Sequence, residues 1–151
     1  MKIPGISGLG EDAADAPPVV RYSFLAWNAV ATIGLIDAVL LYSAKQAQTD
    51  AAIKANPTVN PAEVADIVGD VLLMFLIAAI VLGLAYVYFG YRARAGLRSG
   101  RTVVTSLAVV NLLFRYYFGR TIFGLLAVLV AAAAVVMLFT PGANAYFKQK
   151  Q

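Results

Sequence analysis

The chain has 151 residues, 61% of them hydrophobic and 13% charged, with a net charge of +4 and neither cysteine nor histidine. An ordinary soluble domain is about 45–50% apolar and about 25% charged, so a water-soluble globule is excluded and a small helical membrane protein is indicated. The missing residue types exclude disulfides, iron–sulfur clusters, C-x-x-C-H haem attachment and histidine-bound haem or zinc. No cofactor or metal is therefore expected.

Residues 1–20 read as a flexible cytoplasmic tail. They hold Gly5, Gly8 and Gly10, prolines at 4, 17 and 18, and the acids Glu11, Asp12 and Asp15. The basic start and apolar core of a signal peptide are missing, so the first span is expected to act as its own insertion signal.

A transmembrane domain is expected over 21–147, with a basic end at 148–151. Its first span covers 22–43, with Tyr22 and Trp27 placed at headgroup level. It carries Asn28 and Asp37, and its small residues Gly34 and Ala38 stand four apart. Beyond Ser43 the chain becomes polar but stays rich in helix formers, so the helix is expected to continue past the bilayer. Asn56-Pro57 ends it, because a residue before proline is pushed out of the helical region.

The second span covers 63–91. Asn60-Pro-Ala-Glu63 has the form of a helix start, with an N-cap, a first-turn proline and a capping-box acid. Val71 to Gly90 contains no charge, which is about the length of a bilayer core. Tyr86, Tyr88, Phe89 and Tyr91 then form an expected aromatic belt. A basic loop follows, 92–101, with Arg92, Arg94, Arg98 and Arg101 and no acid. It is expected to set topology and to contact anionic inner-leaflet lipid or an acidic partner surface.

The third span, 102–118, contains Thr105, Ser106 and Asn111, and it needs Arg115 to snorkel to the surface. The fourth, 121–140, is uncharged and rich in alanine until Pro141-Gly142 stops it. Tyr146 and Phe147, beside Lys148 and Lys150, are expected to anchor the end at the interface. With both termini inside, Lys2, Arg21, the four loop arginines, Lys148 and Lys150 face the cytoplasm. Lys45, Lys54, Arg115 and Arg120 face out. Eight of the 12 basic residues against four supports an all-α bundle of four transmembrane helices in the inner membrane, with both termini cytoplasmic. A re-entrant third span would instead leave the carboxyl end outside.

Laid side by side, the spans bring Asp37, Asp70 and Asn111 to a similar depth. Asp66 stands one turn from Asp70, and Arg115 one turn from Asn111. Charges inside a bilayer cost about 2.5–3.5 kcal/mol each on the insertion scale, so they face the interior and find partners. The cluster reads as a structural pairing of one or both aspartates with Arg115. The alternative is a proton or cation site of two close carboxylates, each raising the other's pKa.

Three further stretches carry a resemblance: Ala55-Asn-Pro followed by Asn60-Pro-Ala-Glu63, Arg94-Ala-Gly-Leu-Arg-Ser-Gly-Arg101, and Pro141-Gly-Ala-Asn-Ala-Tyr-Phe147. On these the chain resembles the small four-helix membrane proteins of high-GC Gram-positive (actinobacterial) bacteria over about 21–148. The resemblance implies topology and source, and no biochemical role.

No phosphate-binding loop, zincin motif or nucleophile with a base partner is visible, so an enzyme is not expected. Nor is nucleic-acid binding, because the bases flank apolar spans. The remaining expectation is a non-catalytic accessory subunit of a larger inner-membrane complex, such as a respiratory supercomplex. It would pack through small residues: Gly34 and Ala38, Ala79 and Gly83, Ala127 and Ala131. A homo-oligomer is left open, and a small proton- or cation-coupled transporter is the alternative.

Overall fold

The computed structural model describes residues 14–118 and 121–150, with the backbone alone for 117 and 118. The tail before residue 14, with Lys2, Glu11 and Asp12, and Arg120 near the third span, lie outside the described residues. Among the described residues six helices follow one another: α1 Pro18–Ser43, α2 Lys45–Ala55, α3 Pro61–Arg94, α4 Arg98–Phe118, α5 Ile122–Leu138 and α6 Pro141–Gln149. Among the described residues there is no strand.

The local signals set the ends of these helices. Pro18 sits in the first turn of α1, where its missing N–H costs nothing. The helix direction carries through Ala44, whose N–H donates to the Leu40 carbonyl while its own carbonyl accepts from Gln48, each at 3.0 Å. The expected polar continuation is thus present as α2, and none of its residues is buried. Asn60 caps α3 by accepting from the Ala62 N–H at 3.0 Å. Glu63 stays exposed in the first turn, where its charge faces the positive end of the helix.

The connection between α3 and α4 differs from the expected ten-residue loop. Helix α3 runs on through Arg94 and α4 starts at Arg98. Gly96 adopts φ +85°, the Leu97 N–H donates to the Arg92 carbonyl at 3.1 Å, and the Gly96 N–H donates to the Ala93 carbonyl at 2.9 Å. These are the two bonds of a Schellman ending, which calls for glycine at the left-handed position. The four arginines therefore belong to two helix ends. Gly100 lets those ends meet: a Cβ there would lie 2.8 Å from the Arg92 carbonyl carbon and the Phe89 oxygen.

Helix α1 packs on α3 and α5, and α4 packs on the same two. Contacts fix the directions. Ser23, early in α1, donates to the Ala134 carbonyl late in α5 at 2.9 Å. Trp27 stacks on Tyr86, late in α3, with centroids 5.3 Å apart. The Tyr86 hydroxyl donates to the Leu107 carbonyl of α4 at 3.0 Å. The four helices alternate in direction around a square, so the start of α1 and the turn between α3 and α4 lie at one end. The end of α5 and all of α6 join them there.

The seam is read from buried positions. On α1 these are Val20, Ser23, Trp27, Val30, Asp37 and Ala38; on α5 they are Gly124, Ala127, Ala131, Ala134 and Leu138. The steps of three and four residues along α5, and from Val20 to Val30 on α1, mark the 3.5-residue period of interlocking antiparallel helices. In lipid there is no hydrophobic gain on helix association, so close packing of small residues and interhelical hydrogen bonds must hold the bundle. The alanine stripe of α5 provides the first and the Ser23 bond the second. Ala38, Ala127 and Ala131 are consumed inside this chain.

Two helices, α1 and α3, are long and apolar enough to cross a membrane. Helix α5 would make a third together with α6, which bends away from it by 60° at Pro141. At 34 residues, α3 is about 51 Å long and overshoots the bilayer core. Its first turns pack with α2 as a hairpin.

Candidate functional site: a closed polar cluster and an aromatic base

The polar cluster lies where α1, α4 and α5 converge. Asp37 is 2% exposed and forms an ion pair through its Oδ2 with the Arg115 Nη1. The Thr121 hydroxyl donates to the same oxygen at 3.0 Å and accepts from Arg115 Nη1 at 3.4 Å. It also caps α5 by accepting from the Gly124 N–H at 2.9 Å. Gly124 makes room for the guanidinium: a Cβ there would stand 3.0 Å from Arg115 Cζ. One carboxylate from α1 is thus neutralised by one cation from α4 and a hydroxyl from α5.

One turn earlier on α4, Asn111 is buried and its amide donates to the Tyr86 hydroxyl at 3.3 Å. Between the two polar pairs lies a cavity of about 30 Å³ bordered by Gly34, Ala38, Phe75 and Ala78. That is room for a water or two, not for a hydrated cation with its shell.

Asp66 and Asp70 do not join the cluster; both are exposed. Matching depth along a helix sets height and leaves direction open. Leu72 is buried, and two residues of helix turn about 200°, which points Asp70 away from the bundle. Among the described residues no group of His, Cys, Asp and Glu gathers to hold a metal ion.

The expected aromatic anchors are also placed differently. Trp27 and Tyr86 are fully or nearly buried against each other, and Trp27 Nε1 has no hydrogen-bond partner among the described residues. Tyr146 and Phe147 are buried too, because α6 folds under the bundle. The Tyr146 hydroxyl donates to the Arg94 carbonyl at 2.8 Å. Arg101 lies 3.8 Å above the Phe139 ring and 5.2 Å from the Phe147 ring, so it latches α6 to the base. Arg98 is the exposed member of the basic set; Arg92 and Arg94 are half-buried.

Gly83 meets Ala31 at ordinary packing distance, while a Cβ on Gly34 would meet nothing within 4 Å. Thr121, Gly124 and Tyr86 are members of the polar site that charge-based reading misses. Thr121 alone had a visible signal, as a hydroxyl residue directly before an apolar helix.

The chain matches no family model, no curated protein and no solved structure. The geometry therefore carries the functional reading by itself.

Proposed function

We propose that this protein is a four-span, non-catalytic accessory subunit of a larger inner-membrane assembly, with both termini in the cytoplasm. The carrying observation is the closure of the polar site. Asp37, the one acid buried in the bundle among the described residues, is neutralised by Arg115 and held by Thr121. A carboxylate that serves as a proton or cation site needs access and a changeable partner. Asp70, the second member such a site would need, faces outward.

The packing supports a four-span reading. Helices α4 and α5 lie alongside α1 and α3, and Arg115, in the last turn of α4, is paired with Asp37. An antiparallel square then leaves the arginine-rich end on the cytoplasmic side under the positive-inside bias. What remains for a partner is the hairpin of α2 and early α3, with Lys45, Asp50, Lys54, Asp66 and Asp70 exposed, and the outward apolar faces. A respiratory assembly is one host that fits this description.

Reconstitution tests the reading against its alternative. Proteoliposomes with the protein should show the same proton and monovalent-cation leak as empty liposomes. A flux abolished by Asp37→Asn in a variant of unchanged helicity would refute the accessory role.

A further inference from the structure

The outer junction of α1 and α3 forms a groove of about 650 Å³, separate from the polar cluster. Its walls are almost wholly apolar, with Ala31, Leu35, Ala79, Gly83, Leu84 and Val87 among the lining residues. Gly83 brings no side chain to the crossing; a Cβ there would be in ordinary contact with Ala31 at 3.7 Å.

Two features indicate what lies in it. The first is length. The groove runs from Phe24 to Leu35 on α1 and from Ala79 to Tyr91 on α3, or about 17–18 Å at about 1.5 Å per residue. One leaflet of a hydrocarbon core about 30 Å thick is about 15 Å. An acyl chain of one leaflet fits the groove end to end. The second is the charge at one mouth. Phe24, Tyr88 and Tyr91 close the groove at the arginine end. Arg92 lies 5.9 Å from the Tyr88 ring and Arg94 5.4 Å from the Phe24 ring. Aromatic rings at headgroup depth with guanidiniums beside them suit a phosphodiester.

We propose that this groove is a binding site for one anionic phospholipid of the arginine-side leaflet, with an acyl chain between α1 and α3 and its phosphate at Arg92 and Arg94. The site goes beyond the accessory role and does not depend on it; it would be present in the isolated protein.

The test is a lipid titration of the purified full chain by native mass spectrometry, with phosphatidylglycerol and phosphatidylcholine of identical acyl chains. The expected result is one tightly held phosphatidylglycerol and weaker phosphatidylcholine. Arg92→Gln with Arg94→Gln should weaken phosphatidylglycerol about 30-fold, as removal of two surface cations predicts, and weaken phosphatidylcholine, whose choline cation offsets its phosphodiester, much less. Gly83→Leu should weaken both lipids by filling the floor. Thr32→Phe should do the same from an exposed position on the wall that does not challenge folding. Leu129→Phe, on the outward face of α5, should change neither. Equal affinity for the two lipids, or binding indifferent to Thr32→Phe, would overturn the site. So would a protein dimer that disappears on groove filling in place of a lipid adduct. None of these outcomes touches co-purification with a host complex, so the two proposals fail separately.

Discussion

Replacing Arg115 with leucine is the sharpest perturbation of the bundle. It strands Asp37, whose side chain is 3% exposed, with the Thr121 hydroxyl in place of a full countercharge. Breaking a buried pair from one side costs about 3–5 kcal/mol, against a total stability of about 5–15 kcal/mol for a domain. The opposite cut is gentler. Asp37→Asn leaves Arg115, 14% exposed in the last turn of α4, free to extend its long side chain toward the surface. That loss should be about 1–2 kcal/mol, the scale of a weakened hydrogen bond. The double variant removes both charges and should cost well below the sum of the singles. Reversible unfolding in mixed micelles, followed by helical circular dichroism, measures all three. A cost below about 1 kcal/mol for Arg115→Leu, or strict additivity in the double variant, would refute the buried pair.

Gly100→Ala should destabilise by about 1–3 kcal/mol, because its Cβ would press on the backbone of α3. Gly34→Ala, with open space at the same atom, should be neutral or stabilise by up to about 1 kcal/mol in the same assay. Gly96→Ala should cost about 1–2 kcal/mol through its left-handed backbone, with the cost appearing as increased proteolysis at the turn between α3 and α4. Tyr86→Phe removes the bond to Leu107 and a partner of Asn111; a loss of about 1–3 kcal/mol is expected in unfolding. Arg101→Gln frees α6 from the base, and faster amide exchange over 141–149 should report it.

Helix boundaries were the most legible part of the fold. Asn56-Pro57, Asn60-Pro61 and Pro141 each act through backbone geometry that needs no tertiary partner. The turn at Gly96 was hidden because four arginines dominate that stretch. Charge reports which side of a membrane a segment occupies, not where a helix ends. The pairing of Asp37 with Arg115 was legible from the expense of burying either alone. Asp70 was misplaced because depth along a helix was matched without azimuth, and Leu72 two residues on takes the inward face. Trp27, Tyr86, Tyr146 and Phe147 were read as an interfacial belt for the same reason. Rings at headgroup depth can face lipid or protein, and the fold of α6 under the bundle turns Tyr146 and Phe147 inward. The small residues were legible as packing surfaces, but not as packing used within the chain. Ala127 and Ala131 face α1 because the seam of α5 repeats in steps of three and four.

Affinity purification from native membranes in gentle detergent tests directly the proposal that this chain serves a larger assembly. A carboxyl-terminal tag would follow the exposed end of α6, and every co-purifying protein would be identified and quantified. Stoichiometric recovery of a large membrane complex is expected, reduced when the exposed charges of the hairpin, Lys45, Lys54, Asp66 and Asp70, are neutralised together. Recovery of the chain alone, or as a homo-oligomer whose yield ignores those substitutions, would contradict it.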